Sequence, residues 1–284
     1  MSSLLRVRAV SYLNTSPLVW GFLHGPQQGL FDLRGSLPSA CAAALRTNAA
    51  DIGLVPVIEL ARQPDLLALG GCSIACRGPV RSILLVSAKP LDQVETIAAD
   101  TGSRTSVAMT QVVLHERFGR RPTMLEHEPE LGPMLAAADA ALVIGDPALR
   151  IDPAMTRWQG RPVEVHDMGS AWVESTGLPM VFAVWAVKEA VAERASEAPF
   201  VASKQYGLAR LPEIVEAESA RLDLDPALVE SYLSRNIVYD LGESETQGMR
   251  RFLEAARRLG LAPGDGRPRF ADAPALAANT ERSL

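Results

Sequence analysis

The sequence predicts an α/β protein of two lobes, with a ligand cleft between them and two hinge strands crossing from one lobe to the other. Three observations predict it. Near-continuous apolar runs at 52–56, 82–87 and 140–144 have the composition of strands buried on both faces of a mostly parallel sheet. Segments of helical pattern alternate with these runs up to residue 187, which is the α/β signature. Beyond Lys188 the alternation stops and helices follow one another. The expected division is residues 1–86 with 185–284 in one lobe and 87–184 in the other, crossing near 84–87 and 182–185. Ligands of open α/β sheets bind outside the carboxyl ends of the strands. Here that is the cleft, where Asn14, Ser82, Thr105 and Asp146 can converge.

Residues 7–18 organise the chain. Val7, Val10, Tyr12 and Leu13 are strand-type residues, and Asn14 to Ser16 are turn and cap residues. Pro17 suits the first turn of a helix, where its missing N–H costs nothing, and Leu18, Val19, Phe22 and Leu23 give the helix an apolar stripe. Such a junction carries unpaired N–H groups and the positive end of a helix dipole to the sheet edge, where an anion can bind. An ordinary helix cap is the plainer reading of the same turn.

Residues 25–29 form a loop, 30–37 an extended piece, and Pro38–Arg46 a helix. The strand at 52–56 leads into a helix at 57–62, and an extended segment at 66–76 precedes the strand at 82–87. Residues 91–97 begin a new unit with a short helix of its own. A second polar turn at 100–106 then opens a helix whose pattern runs to Phe118. Arg104, Thr105 and Ser106 dress that helix start with a guanidinium and two hydroxyls, which strengthens the anion-binding reading. The strand at 140–144 ends in Gly145, which permits close backbone approach, and Asp146. Asp146 either faces the cleft or caps the turn at 147–149. A strand at 163–168 is followed by turn-rich stretches at 169–172 and 176–179, and Trp172 either covers a ring in the cleft or fills the core. The last strand is 181–187. Helices are expected at 189–196, 204–222, 226–234 and 246–259, and a loose tail at 263–284.

The chain has 284 residues, 48% hydrophobic and 21% charged, with a net charge of −5. Nothing in that balance advertises nucleic acid or an anionic membrane surface, so a site for an acidic ligand must be built locally. Cys41, Cys72 and Cys76 lack the spacing of a redox or zinc motif and read as reduced thiols of a cytoplasmic protein. His24, His115, His127 and His166 form no ligand pattern, so no metal is expected. The first residues run straight into a strand without a secretory pattern, and no apolar run approaches the ~20 residues of a membrane helix.

With these pieces in order, the sequence resembles the menaquinone-biosynthesis chorismate dehydratases of the futalosine route, the MqnA family. The likeness is carried by Ser11, Tyr12, Leu13 and Asn14 with Pro17 and Leu18; by 51–56; by 73–75 with 78–82; by 103–106; by 144–149; and by Trp172 with 176–179 and 182–185. It runs in order over 7–185, more weakly to 259. The resemblance implies a type II periplasmic-binding-protein-like fold and the dehydration of chorismate to 3-[(1-carboxyvinyl)oxy]benzoate, with no cofactor. Chorismate carries two carboxylates. Thr105 and Ser106, helped by Arg104, would hold one of them, with Ser82, Gly145, Asp146 and Trp172 as further substrate contacts. The resemblance points to Asn14 as the catalytic residue. An amide is no base near neutrality, so the substrate's own enolpyruvyl carboxylate is expected to take the C3 proton while Asn14 orients it. Asp146 is the alternative acid or base. The competing class is a non-catalytic binding protein for a small carboxylate, which the same fold and caps would serve.

Overall fold

The computed structural model describes residues 4–100, 102–264 and 266–271. The chain opens with β1 (Arg6–Val10), a 3-10 turn at Leu13–Thr15, and α1 (Ser16–His24). Asp51 anchors the foot of β1, accepting the backbone N–H of Arg6 at 2.8 Å and its guanidinium at 2.8 and 3.0 Å. Next come β2 (Asp32–Ser36), α2 (Pro38–Arg46), β3 (Ile52–Pro56), α3 (Glu59–Arg62) and β4 (Leu66–Cys76). β1 pairs in parallel with β2 and β3, and β3 is buried at every position, as its apolar run requires. In α1 the stripe buries Leu18, Val19 and Phe22, whereas Leu23 is half exposed.

A second sheet begins at β5 (Ile83–Ser87) and continues through β6 (Thr96–Asp100), α4 (Arg104–Phe118), β7 (Thr123–His127), α5 (Leu131–Ala137) and β8 (Ala140–Ile144). Then follow the short α6 (Asp146–Leu149), a hairpin of β9 (Arg157–Trp158) and β10 (Arg161–Pro162), and β11 (Glu164–Asp167). Its strand order is β11-β5-β8-β6-β7. Side chains alternate along β5: Ile83 and Leu85 join the main core, Leu84 and Val86 a smaller cluster with Met134 and Val143 on the other face. β6 escapes the sequence reading because Ala98 and Ala99 have little β preference of their own; burial between β7 and β8 overrides it.

The stretch expected to be turn-rich is instead helix α7 (Met168–Thr176). Asp167 caps it, accepting the N–H of Ser170 at 2.9 Å. Gly169 is needed there for space, since a Cβ would come within 2.9 Å of Cys76, Gly78 and Val80. β12 (Met180–Lys188) then returns to the first sheet, antiparallel to both β3 and β4, giving the order β2-β1-β3-β12-β4. Two mixed five-stranded sheets with helices around them make the two-lobe α/β architecture. β5 lies wholly in the second sheet and β12 wholly in the first. In sheet membership the chain therefore passes between the sheets at 77–82 and again at 168–179.

Residues Glu189–Arg194 are a 3-10 stretch, followed by α8 (Ala198–Leu208), α9 (Leu211–Leu222), α10 (Pro226–Ser231) and α11 (Glu243–Arg258). The helix expected over 204–222 breaks at Ala209 and Arg210, ahead of Pro212 in the first turn of α9. α10 runs on into a π turn at Tyr232–Asn236. α8 packs on α1, and α11 lies against both β12 and α4, with Arg251 reaching Glu116 at 2.8 Å. Of the expected tail, Phe270 bridges to Ala68, and 272–284 lie outside the described residues. Among the described residues no helix is long and apolar enough to cross a membrane.

Candidate active site

Between the sheets lies a cleft of about 510 Å³, counting its open mouth. The first lobe contributes Val10, Tyr12 and Asn14 from the end of β1 and the turn after it, Pro56 from β3, Ile74 from β4, and Phe182 and Ala183 from β12. The second contributes Val80, Ser82 and Ile83 around the start of β5, Ser103 and Ser106 at the start of α4, and Ile144 and Gly145 at the end of β8. The walls are apolar. Their polar side chains are Tyr12, Asn14, Ser82, Ser103 and Ser106, and no carboxylate, histidine, lysine or arginine is among the lining residues.

Asn14 sits in the 3-10 turn that β1 runs into, and its Oδ1 is buried without a hydrogen-bond partner. Across the cleft Ser82 is 2% exposed. Its carbonyl accepts the N–H of Gly145 at 2.8 Å, and its Oγ accepts the hydroxyl of Tyr232 at 2.9 Å. The Tyr12 ring reaches from the first lobe onto the second. A Cβ on Gly145 would lie 3.2 Å from that ring, and one on Gly102 would lie 3.2 Å from its hydroxyl. Gly145 also has φ +75°, a conformation side chains disfavour, so glycine is required there twice over. Burial, then the nearby carboxylates of Asp100 and Asp146, push the Tyr12 phenol up to about 12.

At the second polar turn, α4 starts without a side-chain cap. Ser103 and Ser106 bond each other through their hydroxyls at 2.9 Å at the cleft wall. Thr105 is fully buried and accepts the N–H of Ile58 from the first lobe at 3.3 Å. Arg104 pairs with buried Glu59 at 3.0 Å and lines a different, wider depression with Arg62 and Met124. The structure thus takes Arg104 and Thr105 out of the cleft, because an acid and an amide of the opposite lobe claim them first. Burial alone would raise the Glu59 carboxyl, but hydrogen bonds from Gln63 and Arg104 overcome it and hold the group below the usual range.

Asp146 does not line the cleft or cap its own turn: its Oδ1 accepts the N–H of Leu13 at 3.1 Å, tying the lobes together. Burial pushes its carboxyl up, against that bond. Trp172 is fully buried, donates to the carbonyl of Pro179 at 3.2 Å and meets Phe252 edge-on, so it belongs to the core. Of the site residues expected from sequence, the structure brings Asn14, Ser82, Ser106 and Gly145 together at the cleft. Sequence reasoning missed Tyr12, although it stands in the opening motif, and Tyr232, which is 150 residues from Ser82 inside an apolar helical pattern that signals only core. Among the described residues no group of three or more His, Cys, Asp and Glu could hold a metal ion.

A family model described as menaquinone biosynthesis matches residues 5–258. The chain is 32% identical over 269 residues to the chorismate dehydratase of Thermus thermophilus, covering 88% of this chain and 93% of that one. Among solved structures it is similar to a protein of Archaeoglobus fulgidus, with TM-score 0.67 and 15% identity over 90% of this chain and 98% of that one. It is similar also to the periplasmic aliphatic sulphonate binding protein SsuA of Escherichia coli, with TM-score 0.65 and 14% identity over 96% and 94% of the two chains. A Candida albicans protein described as having the generic periplasmic binding protein structural fold matches with TM-score 0.60 and 12% identity over 95% and 98%. At such identities the structures speak for the fold, and the sequence matches speak for the family. This chain belongs to the menaquinone-biosynthesis family, carried on a two-lobe periplasmic-binding-protein-like fold.

Proposed function

We propose that the chain is a hydro-lyase, a chorismate dehydratase that forms 3-[(1-carboxyvinyl)oxy]benzoate and water. The Thermus relative's activity supports the substrate. The observation that carries the chemistry is the character of the cleft: an apolar slot whose polar groups are all neutral and poor proton acceptors near pH 7. A ring that becomes aromatic suits its walls. The start of α4, with the positive end of its dipole and the Ser103–Ser106 pair, suits a carboxylate without a cation.

With no basic group in the lining, we assign the proton to the substrate itself. The enolpyruvyl carboxylate takes the C3 hydrogen as H⁺, the electron pair of that bond forms the new ring double bond, and the C4–O bond breaks. The departing hydroxide collects the proton from the carboxylic acid, so water leaves and the carboxylate is restored. Asn14 orients that carboxylate and stabilises developing charge through its amide. Ser82 supplies a second contact, and Gly145 a close wall under Tyr12. In this reading the cross-lobe bonds Leu13–Asp146, Ile58–Thr105 and Arg104–Glu59 close the lobes over bound substrate. A cytoplasmic setting belongs to the proposal and accords with three free, buried cysteines.

The test is to incubate the purified protein with chorismate and follow the mixture by chromatography and mass. An aromatic product one water lighter than chorismate is expected; chorismate recovered intact overturns the proposal.

A further inference from the structure

Behind the cleft wall, in contact with Ser82, stands a group from the C-terminal helices that the chemistry above does not use. Tyr232 stands where α10 passes into its π turn and is 1% exposed. Its hydroxyl donates to Ser82 Oγ at 2.9 Å, with both groups buried. We infer that Tyr232 is a positioning residue: by donating to one lone pair of Ser82, its phenol bars the Ser82 O–H from pointing back into the protein and so leaves that hydrogen free to donate toward the substrate. The inference rests on the dehydratase reading and assigns one more residue to that same site.

A serine hydroxyl has one hydrogen and two lone pairs, and its hydrogen rotates to suit its neighbours. The backbone around Ser82 is already clamped. Asp167 accepts the N–H groups of Val80 and Arg81 at 3.0 and 2.7 Å, and the Ser82 carbonyl is taken by Gly145. What remains free is the direction of the O–H, and Tyr232 closes off the direction toward itself by donating from behind. Chorismate's carboxylate and ether oxygens only accept hydrogen bonds, so a serine whose hydrogen was spent on Tyr232 would meet them with lone pairs alone and repel them. Burial keeps the phenol protonated far above neutral pH, so it acts as a fixed donor and not as an acid or base. Asn14 is the other polar side chain at the same phenol, which places the whole device under the catalytic turn.

The experiment compares Tyr232→Phe, Ser82→Ala and the double variant for kcat/KM on chorismate, with melting temperatures alongside. Tyr232→Phe is expected to lower kcat/KM about 10-fold, the scale of one buried hydrogen bond. Its melting temperature should stay within a few degrees of the parent. On the Ser82→Ala background the same change is expected to cost less than about 2-fold, because the group it acts through is gone. Wild-type rates in Tyr232→Phe, or a loss repeated in full on Ser82→Ala, overturn the inference. Should the Phe variant fold poorly, 3-fluorotyrosine placed at 232 keeps the shape while strengthening the donor. It is then expected to move kcat/KM at least about 2-fold at an unchanged melting temperature, and an unmoved rate overturns the inference. A wild-type protein that leaves chorismate intact removes the dehydratase reading and this inference with it. Turnover by wild type with an unimpaired Tyr232→Phe removes the inference alone.

Discussion

The turn after β1 and the turn before α4 are alike in composition, and each opens a helix at the carboxyl edge of a sheet. In the fold they part ways. The first keeps Asn14 at the cleft with an unpartnered Oδ1, facing Ser82. The second gives Arg104 to Glu59 and Thr105 to Ile58, and leaves Ser103 and Ser106 for the cleft. The long cation has become a tie between lobes, while short neutral groups line the cleft. A buried acid on the opposite lobe made that choice: a carboxylate as enclosed as Glu59 must be paired, and Arg104 is within reach.

If that contrast is sound, the largest effect lies at the first turn. Asn14→Ala is expected to lower kcat/KM on chorismate by about 100- to 1000-fold, the loss typical of one preorganised donor to developing charge. The melting temperature should fall by no more than a few degrees, because the side-chain oxygen has no protein partner to lose and only the contact with the Tyr232 phenol goes. Steady-state kinetics and a thermal melt check both halves. Near-normal turnover would return the first turn to the status of a plain cap.

How much of this was legible follows the same divide. β3, β5, β8 and β12 announce themselves because apolar runs buried on both faces need no help from context. β6 and α7 do not, since Ala98, Ala99, Gly169 and Ser170 have weak preferences that their neighbours overrule. At the site, Asn14, Ser82, Ser106 and Gly145 were readable from their turn and strand-end positions. Arg104, Thr105, Asp146 and Trp172 read in sequence as ligand contacts, but each is held by a partner distant in sequence: Glu59, Ile58, Leu13 and Phe252. Pairings of that separation leave no local pattern. Tyr232 was invisible for the same reason.

The tie itself can be broken at Glu59. Glu59→Gln keeps the shape but removes the charge shared by Arg104 at 3.0 Å and Arg62 at 3.4 Å. Both arginines are about a third exposed (34%), so they can regain water, and the loss should fall below that of a fully buried pair, at about 2 kcal/mol. The pH dependence has a definite sign. Glu59 is held below the ordinary glutamate value, near 4.3 in a free chain, so its contribution is complete above that value. It is lost as pH falls through the lowered native one. Urea unfolding at pH 7 should separate parent from variant, and the gap should shrink below about pH 4. A gap that stays constant with pH would show that Glu59 acts through shape alone.

The finest test sets two neighbours on α4 against each other. Ser106 is buried at the cleft wall beside Ser103, whereas Arg104 points to Glu59 and the wider depression. Ser106→Ala removes a hydroxyl that can donate to a substrate carboxylate, and KM should rise about 10-fold, the scale of one such bond. Arg104→Gln should change KM by less than about 3-fold while lowering the melting temperature, since it leaves Glu59 with Arg62 and Gln63 as its remaining partners. The reverse ranking, with KM far more sensitive at 104 than at 106, would mean that the guanidinium leaves Glu59 when substrate enters. The second turn would then be an anion cradle like the first, and the contrast between them would not survive substrate binding.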